Sequence, residues 1–362
     1  MRINGHSHLL PYPEQIPSFM KEKEIFWIDE DRKFMLQKNW KRPVTDSSFF
    51  LNEKLEWMEK NNLDHAIVLN LSQLYGNGLR VEEMKKVLRW QNDFNGQVQA
   101  DHPDKFSCGF VIHAGFVRSA LWEIERCVKD LNLRVLCLPT HYMDSIGTWR
   151  TIFDPETEPI FELANEHKLA VEIHPYDGEK FIKLENVAWR FHLVWMLAQC
   201  ADAYHFYTLQ GYHEKFPDMR VCFAHGGQLA QINLGRRIQG FDGRPDLFEG
   251  KTHPRRAVGH PNIFFDTLVH DTYSLELMVK RLKGTDQIIL GLDDPYPLGE
   301  MESEPQSSYP GKLLDLALEE GIINQQQHEE IWKENVLRWL GVNQCPKLKE
   351  RLKHLTTEKV DS

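Results

Sequence analysis

Arg2-Ile3-Asn4-Gly5-His6-Ser7-His8-Leu9 (residues 2–9) opens the chain as a short strand candidate that carries two histidines one residue apart near its end. Successive side chains of a strand point to opposite faces, so the two imidazoles share one side of it. The run decides the fold because runs like it recur. Seven more short, β-branched or apolar candidates follow: Leu63 to Leu71, Phe106 to His113, Leu133 to Pro139, Leu169 to His174, Met219 to His225, Asn262 to Thr267 and Gln287 to Asp293. Between them lie stretches with helical periodicity, Leu51 to Asn61, Glu82 to Asp101, Ser119 to Leu131, Pro155 to His167, the long Asn186 to Lys215, Leu229 to Ile238 and Thr272 to Leu282. Strand followed by helix is the pattern of a parallel βα architecture, and eight such units favour a closed (β/α)8 TIM barrel over an open doubly wound sheet.

Two segments stand outside this rhythm. Pro11 to Ser48 is aromatic, charged, Pro-containing and too long for an ordinary connection, so it reads as a cap insertion over the end of the first strand. Lys312 through Leu340 carries apolar residues at helical spacing and reads as a C-terminal helical extension packed outside the barrel. The expected organisation is one barrel domain over residues 1–342 with its cap at 11–48, then a charged tail at 343–362. From Lys347 onward that tail is rich in Lys and Glu and reads as mobile and solvated.

Composition narrows the function. With 362 residues, 41% hydrophobic and 27% charged, the chain can bury a sizeable core. A formal net charge of −10 argues against general affinity for nucleic acid or an anionic membrane, which both need a positive surface. The N-terminus shows no apolar segment of signal-peptide length, and no apolar run reaches the length of a membrane span. Six cysteines, Cys108, Cys127, Cys137, Cys200, Cys222 and Cys345, form no CxxC pair and read as reduced, mostly buried thiols, which makes a cytoplasmic protein the expectation.

The chemistry gathers at strand ends. Active sites of such barrels are built from the carboxyl ends of several strands, so His6 and His8, His174, His225 and Asp293 are expected to converge although they are remote in sequence. An HxH alone is commonly structural; three imidazoles and one carboxylate around an open position instead suit a borderline metal such as Zn2+ that also binds water. His6, His8, His174 and Asp293 are therefore the expected ligands of one ion per subunit, Zn2+ first, with Mn2+ or another divalent ion as alternatives. His225, followed by Gly226-Gly227, could serve a second metal or act as general acid/base. Pro139-Thr140-His141 offers no bridging lysine at the fourth strand, which favours one metal with His225 as the base. Asp294 competes for the eighth-strand position, but alternation turns it away if Asp293 points inward. His113, His141 and His270 also lie near strand ends and read as structural.

On these residues the chain resembles the 2-amino-3-carboxymuconate-6-semialdehyde decarboxylase family, zinc-dependent, non-oxidative decarboxylases of the amidohydrolase superfamily that act in tryptophan/kynurenine or nitroaromatic catabolism. The likeness is carried by His6-Ser7-His8-Leu9-Leu10-Pro11, by Glu214-Lys215-Phe216-Pro217 leading to Val221-Cys222-Phe223-Ala224-His225-Gly226-Gly227, and by Arg244-Pro245-Asp246-Leu247. Asp266 with Leu268-Val269-His270-Asp271 and Pro295-Tyr296-Pro297-Leu298-Gly299-Glu300 extend it. The resemblance implies zinc on the four ligands, His225 deprotonating the zinc-bound water, and a homodimer in which Arg244 crosses into the neighbouring site to pair with a substrate carboxylate. Trp189, His192 and Tyr296 are the further expected substrate contacts. The family's second arginine, in the cap, aligns with Met35 here, with Arg32, Lys33 and Lys38 out of register.

The expected reaction is loss of carbon dioxide from a small unsaturated or aromatic acid, with no organic cofactor, nucleic acid or membrane involved. Two rivals stand beside it. One is hydrolysis or deamination of a small cyclic substrate at the same metal site; the other is a barrel that only binds.

Overall fold

The computed structural model describes residues 1–38, 40–44, 50–175, 187–302 and 307–356, with only the backbone of Trp40. Positions 45–48 of the cap, Asn186 at the expected start of the long helix, and 357–362 of the tail lie outside the described residues.

All eight expected strands form. They are β1 (Ile3–His8), β2 (His65–Leu69), β3 (Phe106–Val111), β4 (Val135–Pro139), β5 (Ala170–His174), β6 (Arg220–Phe223), β7 (Ile263–Asp266) and β8 (Ile288–Ile289). Each pairs in parallel with its neighbour in chain order, from β1 through to β8. The barrel then closes on itself. Gly5 N donates to Leu290 O at 2.8 Å, Asp293 N to His6 O at 2.8 Å and His8 N to Asp294 O at 2.9 Å, so residues 290–294 run along β1 beyond the short β8 ladder.

Period-two alternation sorts the strand residues into two cores. Val68, Leu136, Leu138, Val171, Ile173, Val221, Phe223, Ile263 and Phe265 join one cluster with residues of the surrounding helices. Their alternates Ile67, Leu69, Val135, Cys137, Ala170, Cys222 and Phe264 join a second cluster inside the barrel. Runs that are apolar on both faces are what a parallel sheet covered on both sides requires. The polar members of the inner set, His6, His8, Glu172, His174 and Asp266, are all buried.

Three segments differ in detail from the sequence reading. The long helix is broken: a 3-10 turn Val187–Trp189, in which Ala188 and Trp189 have φ of 52° and 58°, leads into a π-helical turn Phe191–Trp195 and then into helix Met196–Leu209. Wide turns of this kind re-aim side chains without ending the helix. The extension from Lys312 divides into helices Lys312–Glu319, Gln325–Trp332 and Glu334–Leu340. The tail, expected to be solvated, is helical over Pro346–Arg351 and Lys353–Thr356 and buries Leu348, Leu352 and Leu355 with Trp339 and Leu340. Burial of about 1.5–3 kcal/mol per leucine outweighs the polarity of the intervening lysines, which stay at the surface.

The cap carries a short helix, Ser18–Glu22, and an antiparallel three-stranded sheet of Trp27–Ile28, Phe34–Gln37 and Trp40–Pro43. Met20, Phe26, Ile28 and Met35 bury against Leu71, Leu74 and Tyr296 from the barrel loops, which fixes the cap over the carboxyl ends of the strands. Among the described residues no helix is long and apolar enough to cross a membrane. All six cysteines are free thiols, five of them buried.

Candidate metal centre

Strand alternation brings His6 and His8 to the same side at the end of β1, and their Nε2 atoms lie 3.2 Å apart. Asp293 meets them from across the seam, with Oδ1 at 3.4 Å from His6 Nε2 and 3.1 Å from His8 Nε2. His174 completes the group from the end of β5, and one ligand atom from each of the four lies within 4.8 Å of the others. All four side chains are buried.

Two of the donors, His6 and His174, are aimed by a neighbour. Asp266, at the end of β7, accepts from His6 Nδ1 at 2.8 Å, so in the neutral ring the lone pair of His6 sits on Nε2 and faces the group. His174 Nδ1 donates to the carbonyl of Pro175 at 2.8 Å, which likewise turns its Nε2 lone pair inward. His174 Nε2 and Asp293 Oδ1 are buried and make no hydrogen bond. Buried polar atoms are rarely left so, and convergent orphan lone pairs are what a cation would satisfy. The donor set, three imidazoles and a carboxylate, fits a divalent ion of the zinc or manganese type.

The electrostatics agree. Burial would raise the Asp293 carboxyl, but the adjacent imidazoles of His6 and His8 hold it well below the ordinary value, so it is ionised. His8 is lowered by burial, and His174 by burial together with the neighbouring imidazoles of His225, His6 and His8; both are neutral and able to ligate. Burial also acts to lower His6, yet Asp266 and Asp293 outweigh it and raise the imidazole well above its usual value.

His225 stands beside this group. Its ring centroid is 5.0 Å from that of His174, and its Nε2 is 3.9 Å from Asp293 Oδ2. Burial pushes its pKa down to about 4, so the imidazole is neutral at ordinary pH. The backbone there is unusual: His225, Gly226 and Gly227 all have positive φ. A Cβ on Gly226 would meet Val269 Cγ1 at 2.1 Å, so only glycine fits. The turn aims the N–H groups of His225 and Gly226 at the two oxygens of Asp266, at 3.0 and 2.7 Å. One carboxylate thus positions both His6 and His225.

Sequence reasoning placed Asp266 only in a familial motif and gave it no role, although its place at the end of β7 in phase with Phe264 was a signal. Glu172 was also missed. It lies two residues before His174, inside the barrel, and burial raises its carboxyl to about 8. It forms a second buried group with His6 and Asp266, one ligand atom of each lying within 4.8 Å of the others.

A narrow cavity of about 40 Å3 adjoins the centre, lined by Arg42, Gln73, Trp189, His192 and Tyr296 among others, with His174, His225 and Asp293 at its base. Trp189 stacks on His192 with centroids 4.9 Å apart, and the Tyr296 ring lies 5.0 Å from that of His8. The lining includes a cap arginine that the sequence alignment did not find. Met35, which aligns with the family's cap arginine, is buried in the cap core, and its cross-strand partner is Arg42. Arg42 Nη2 donates to His192 Nε2 at 2.6 Å, and its guanidinium sits 5.4 Å from the centre of the Tyr296 ring. Arg244, by contrast, is outside this cavity. It is exposed and pairs with Asp246 at 2.8 and 2.9 Å. His141 binds Asp202 and Thr140, and His113 caps a short turn; neither joins the ligand group.

Residues 80–341 match the family model described as Amidohydrolase. The chain belongs to that amidohydrolase family. The match begins after β1, and a relative matches this amidohydrolase over most of its length. That relative, the 2-amino-3-carboxymuconate-6-semialdehyde decarboxylase of Dictyostelium discoideum, is 26% identical over 353 residues, 95% of this chain and 92% of the relative. Among solved structures, the amidohydrolase is similar to the apo form of Metarhizium anisopliae IDCase, with a TM-score of 0.75 at 16% identity over 97% of this chain and 98% of the other. It is also similar to a dihydroxybenzoic acid decarboxylase from Polaromonas sp. with bound manganese and the inhibitor 2-nitroresorcinol, with a TM-score of 0.69 at 15% identity over 96% and 98%. These structural likenesses, at such low identity, concern the fold.

Proposed function

We propose that this amidohydrolase is a metal-dependent, non-oxidative decarboxylase of a small unsaturated or aromatic carboxylic acid, with one divalent ion on His6, His8, His174 and Asp293. The observation that carries the reading is the convergence of four donor atoms, two of them buried without a hydrogen-bond partner, at the mouth of the barrel. The Dictyostelium relative's name, a decarboxylase matched over nearly the whole length, directs the choice of reaction. Zinc is the first choice of ion; manganese, which the Polaromonas structure holds, is the second.

A bound divalent ion would acidify a water and polarise a substrate oxygen. The chain's own residues do the rest. Arg42 offers its guanidinium to the substrate carboxylate, a planar fork that meets two oxygens at once. Trp189, His192 and Tyr296 confine a flat conjugated body beside it. His225, neutral and at the edge of the ligand group, takes a proton from water and delivers it to the carbon from which carbon dioxide departs, leaving hydroxide to carry the charge of the lost carboxylate. The carbon–carboxylate bond breaks, its electron pair stays in the conjugated system, and the proton from His225 takes the vacated position. The same reading includes a cytoplasmic homodimer in which Arg244, exposed and outside its own cavity, reaches the neighbouring subunit's site.

The test loads the metal-free protein with Zn2+ or Mn2+ and supplies 2-amino-3-carboxymuconate-6-semialdehyde or a dihydroxybenzoate. Stoichiometric carbon dioxide without ammonia or ring opening is expected. His225→Gln should keep the metal and lose turnover by about 10²–10⁴-fold, as removal of a general acid/base does, whereas Asp293→Ala should lose the metal. Release of ammonia, or a ring-opened product that retains its carboxylate, would establish hydrolysis and overturn the proposal.

A further inference from the structure

The seam between β1 and residues 290–294 holds a second set of buried polar groups, and none of them faces the cavity. Lys54, from helix Leu51–Lys60, is fully buried and forms an ion pair with the equally buried Asp294. The same ammonium donates to Ser7 Oγ at 2.9 Å. The other oxygen of Asp294 accepts from Asn4 Nδ2 at 2.5 Å, and Asn4 Oδ1 accepts the backbone N–H groups of His6 and Leu292, each at 3.1 Å. All of these side chains except Lys54 belong to near neighbours in sequence of a candidate ligand. Ser7 lies between His6 and His8, Asp294 follows Asp293, and Asn4 holds the backbone of His6.

A salt bridge buried this deeply is weak as a source of stability, because desolvation of both ions offsets their attraction; its best-attested use is to specify register. Register is what this seam needs. The pairing of β1 with β2 is irregular between Asn4 and Ser7, and the β8 ladder ends at Ile289, so beyond it His6 and His8 are set against Asp293 by a few backbone hydrogen bonds along residues 290–294 together with this side-chain network. There is also a choice to be made between two adjacent aspartates. With its charge matched by Lys54 and its oxygens taken up by Asn4 and Lys54, Asp294 is withdrawn from the cavity, and Asp293 is left to face it.

We propose that Lys54 and Asp294 are positioning residues that lock the β1 seam in the register that presents His6, His8 and Asp293 to one ion, and that select Asp293 over Asp294 as the ligand. This rests on the metal reading above, and the experiment separates the two. Lys54→Met, Asp294→Asn and the double variant are prepared metal-free; their melting temperatures and their Zn2+ and Co2+ affinities are measured, with the visible spectrum of the cobalt-loaded protein. Each single variant should lower the melting temperature by stranding a buried charge or its partner. The double variant should recover much of that loss yet bind Zn2+ about 10–100-fold more weakly, as when groups that orient ligands are removed, with altered cobalt bands. A double variant with wild-type affinity and spectrum makes the pair merely structural and overturns the inference. If the wild-type protein binds neither ion, the metal reading itself fails, and this inference with it.

Discussion

Asp266→Asn is the sharpest perturbation available, because it changes one atom in a buried carboxylate while keeping its shape. The carboxylate accepts four hydrogen bonds: His6 Nδ1 at 2.8 Å and His225 N at 3.0 Å on Oδ2, Gly226 N at 2.7 Å and Leu268 N at 3.2 Å on Oδ1. An amide can accept on one side only. If its oxygen stays with Gly226 and Leu268, its NH2 faces the N–H of His225 and the Nδ1 of His6. Donor then opposes donor at His225, and His6 can relieve the clash only by moving its own proton to Nε2, the atom turned toward Asp293.

Loss of the charge-assisted bond to His6 costs about 1.5–3 kcal/mol, and an unsatisfied buried N–H at His225 about 1–3 kcal/mol. The share that falls on the ion is the penalty for the wrong tautomer, about 10–100-fold in affinity by analogy with other outer carboxylates, or about 1.4–2.7 kcal/mol. Competition for Zn2+ against a chromophoric chelator reads the affinity, and thermal unfolding of the metal-free protein reads the remainder. Wild-type zinc affinity in Asp266→Asn would refute the idea that this carboxylate sets the His6 tautomer.

Two further outcomes are expected. Arg42→Met should lower kcat/KM by about 10–150-fold, the worth of a charge-assisted hydrogen bond, with metal affinity unchanged; Arg42→Lys should restore little, because an ammonium cannot form the two-pronged contact. Steady-state kinetics on the decarboxylated substrate check this, and an unaltered kcat/KM in Arg42→Met removes Arg42 from substrate binding. Metal uptake at about pH 6 should release about one proton, from His6 alone, because His8 and His174 are already neutral whereas His6 is held protonated by Asp266 and Asp293. Three imidazoles with the ordinary pKa of about 6.5 would instead release roughly two or more, and calorimetry in buffers of different ionisation enthalpy distinguishes these results.

The barrel was legible in the order of residues because its signals are local. Alternation at period two and helical spacing are properties of five to twenty consecutive residues, and they place β1, β5 and the end of β8 without knowledge of their partners. The same local rule turns His6 and His8 to one side and, with strand-end placement, brings His174, His225 and Asp293 into the same reading. Tyr296 was named from a motif, Trp189 and His192 from the family resemblance near the long helix, and all three line the cavity.

What stayed hidden depends on segments that meet only in the folded chain. Arg42 was invisible because the register of a small cap sheet, with Met35 opposite it, decides which residue reaches the barrel mouth. Asp266, Glu172 and Lys54 are ordinary residues in sequence; their roles come from burial beside histidines or aspartates that are far away along the chain. The tail looked solvated because lysines and glutamates dominate its composition, yet three leucines at helical spacing find a surface in the second core. Strand and helix periods are written in neighbouring residues, whereas tautomers, ion pairs and cap register follow from which distant residues share one low-dielectric space.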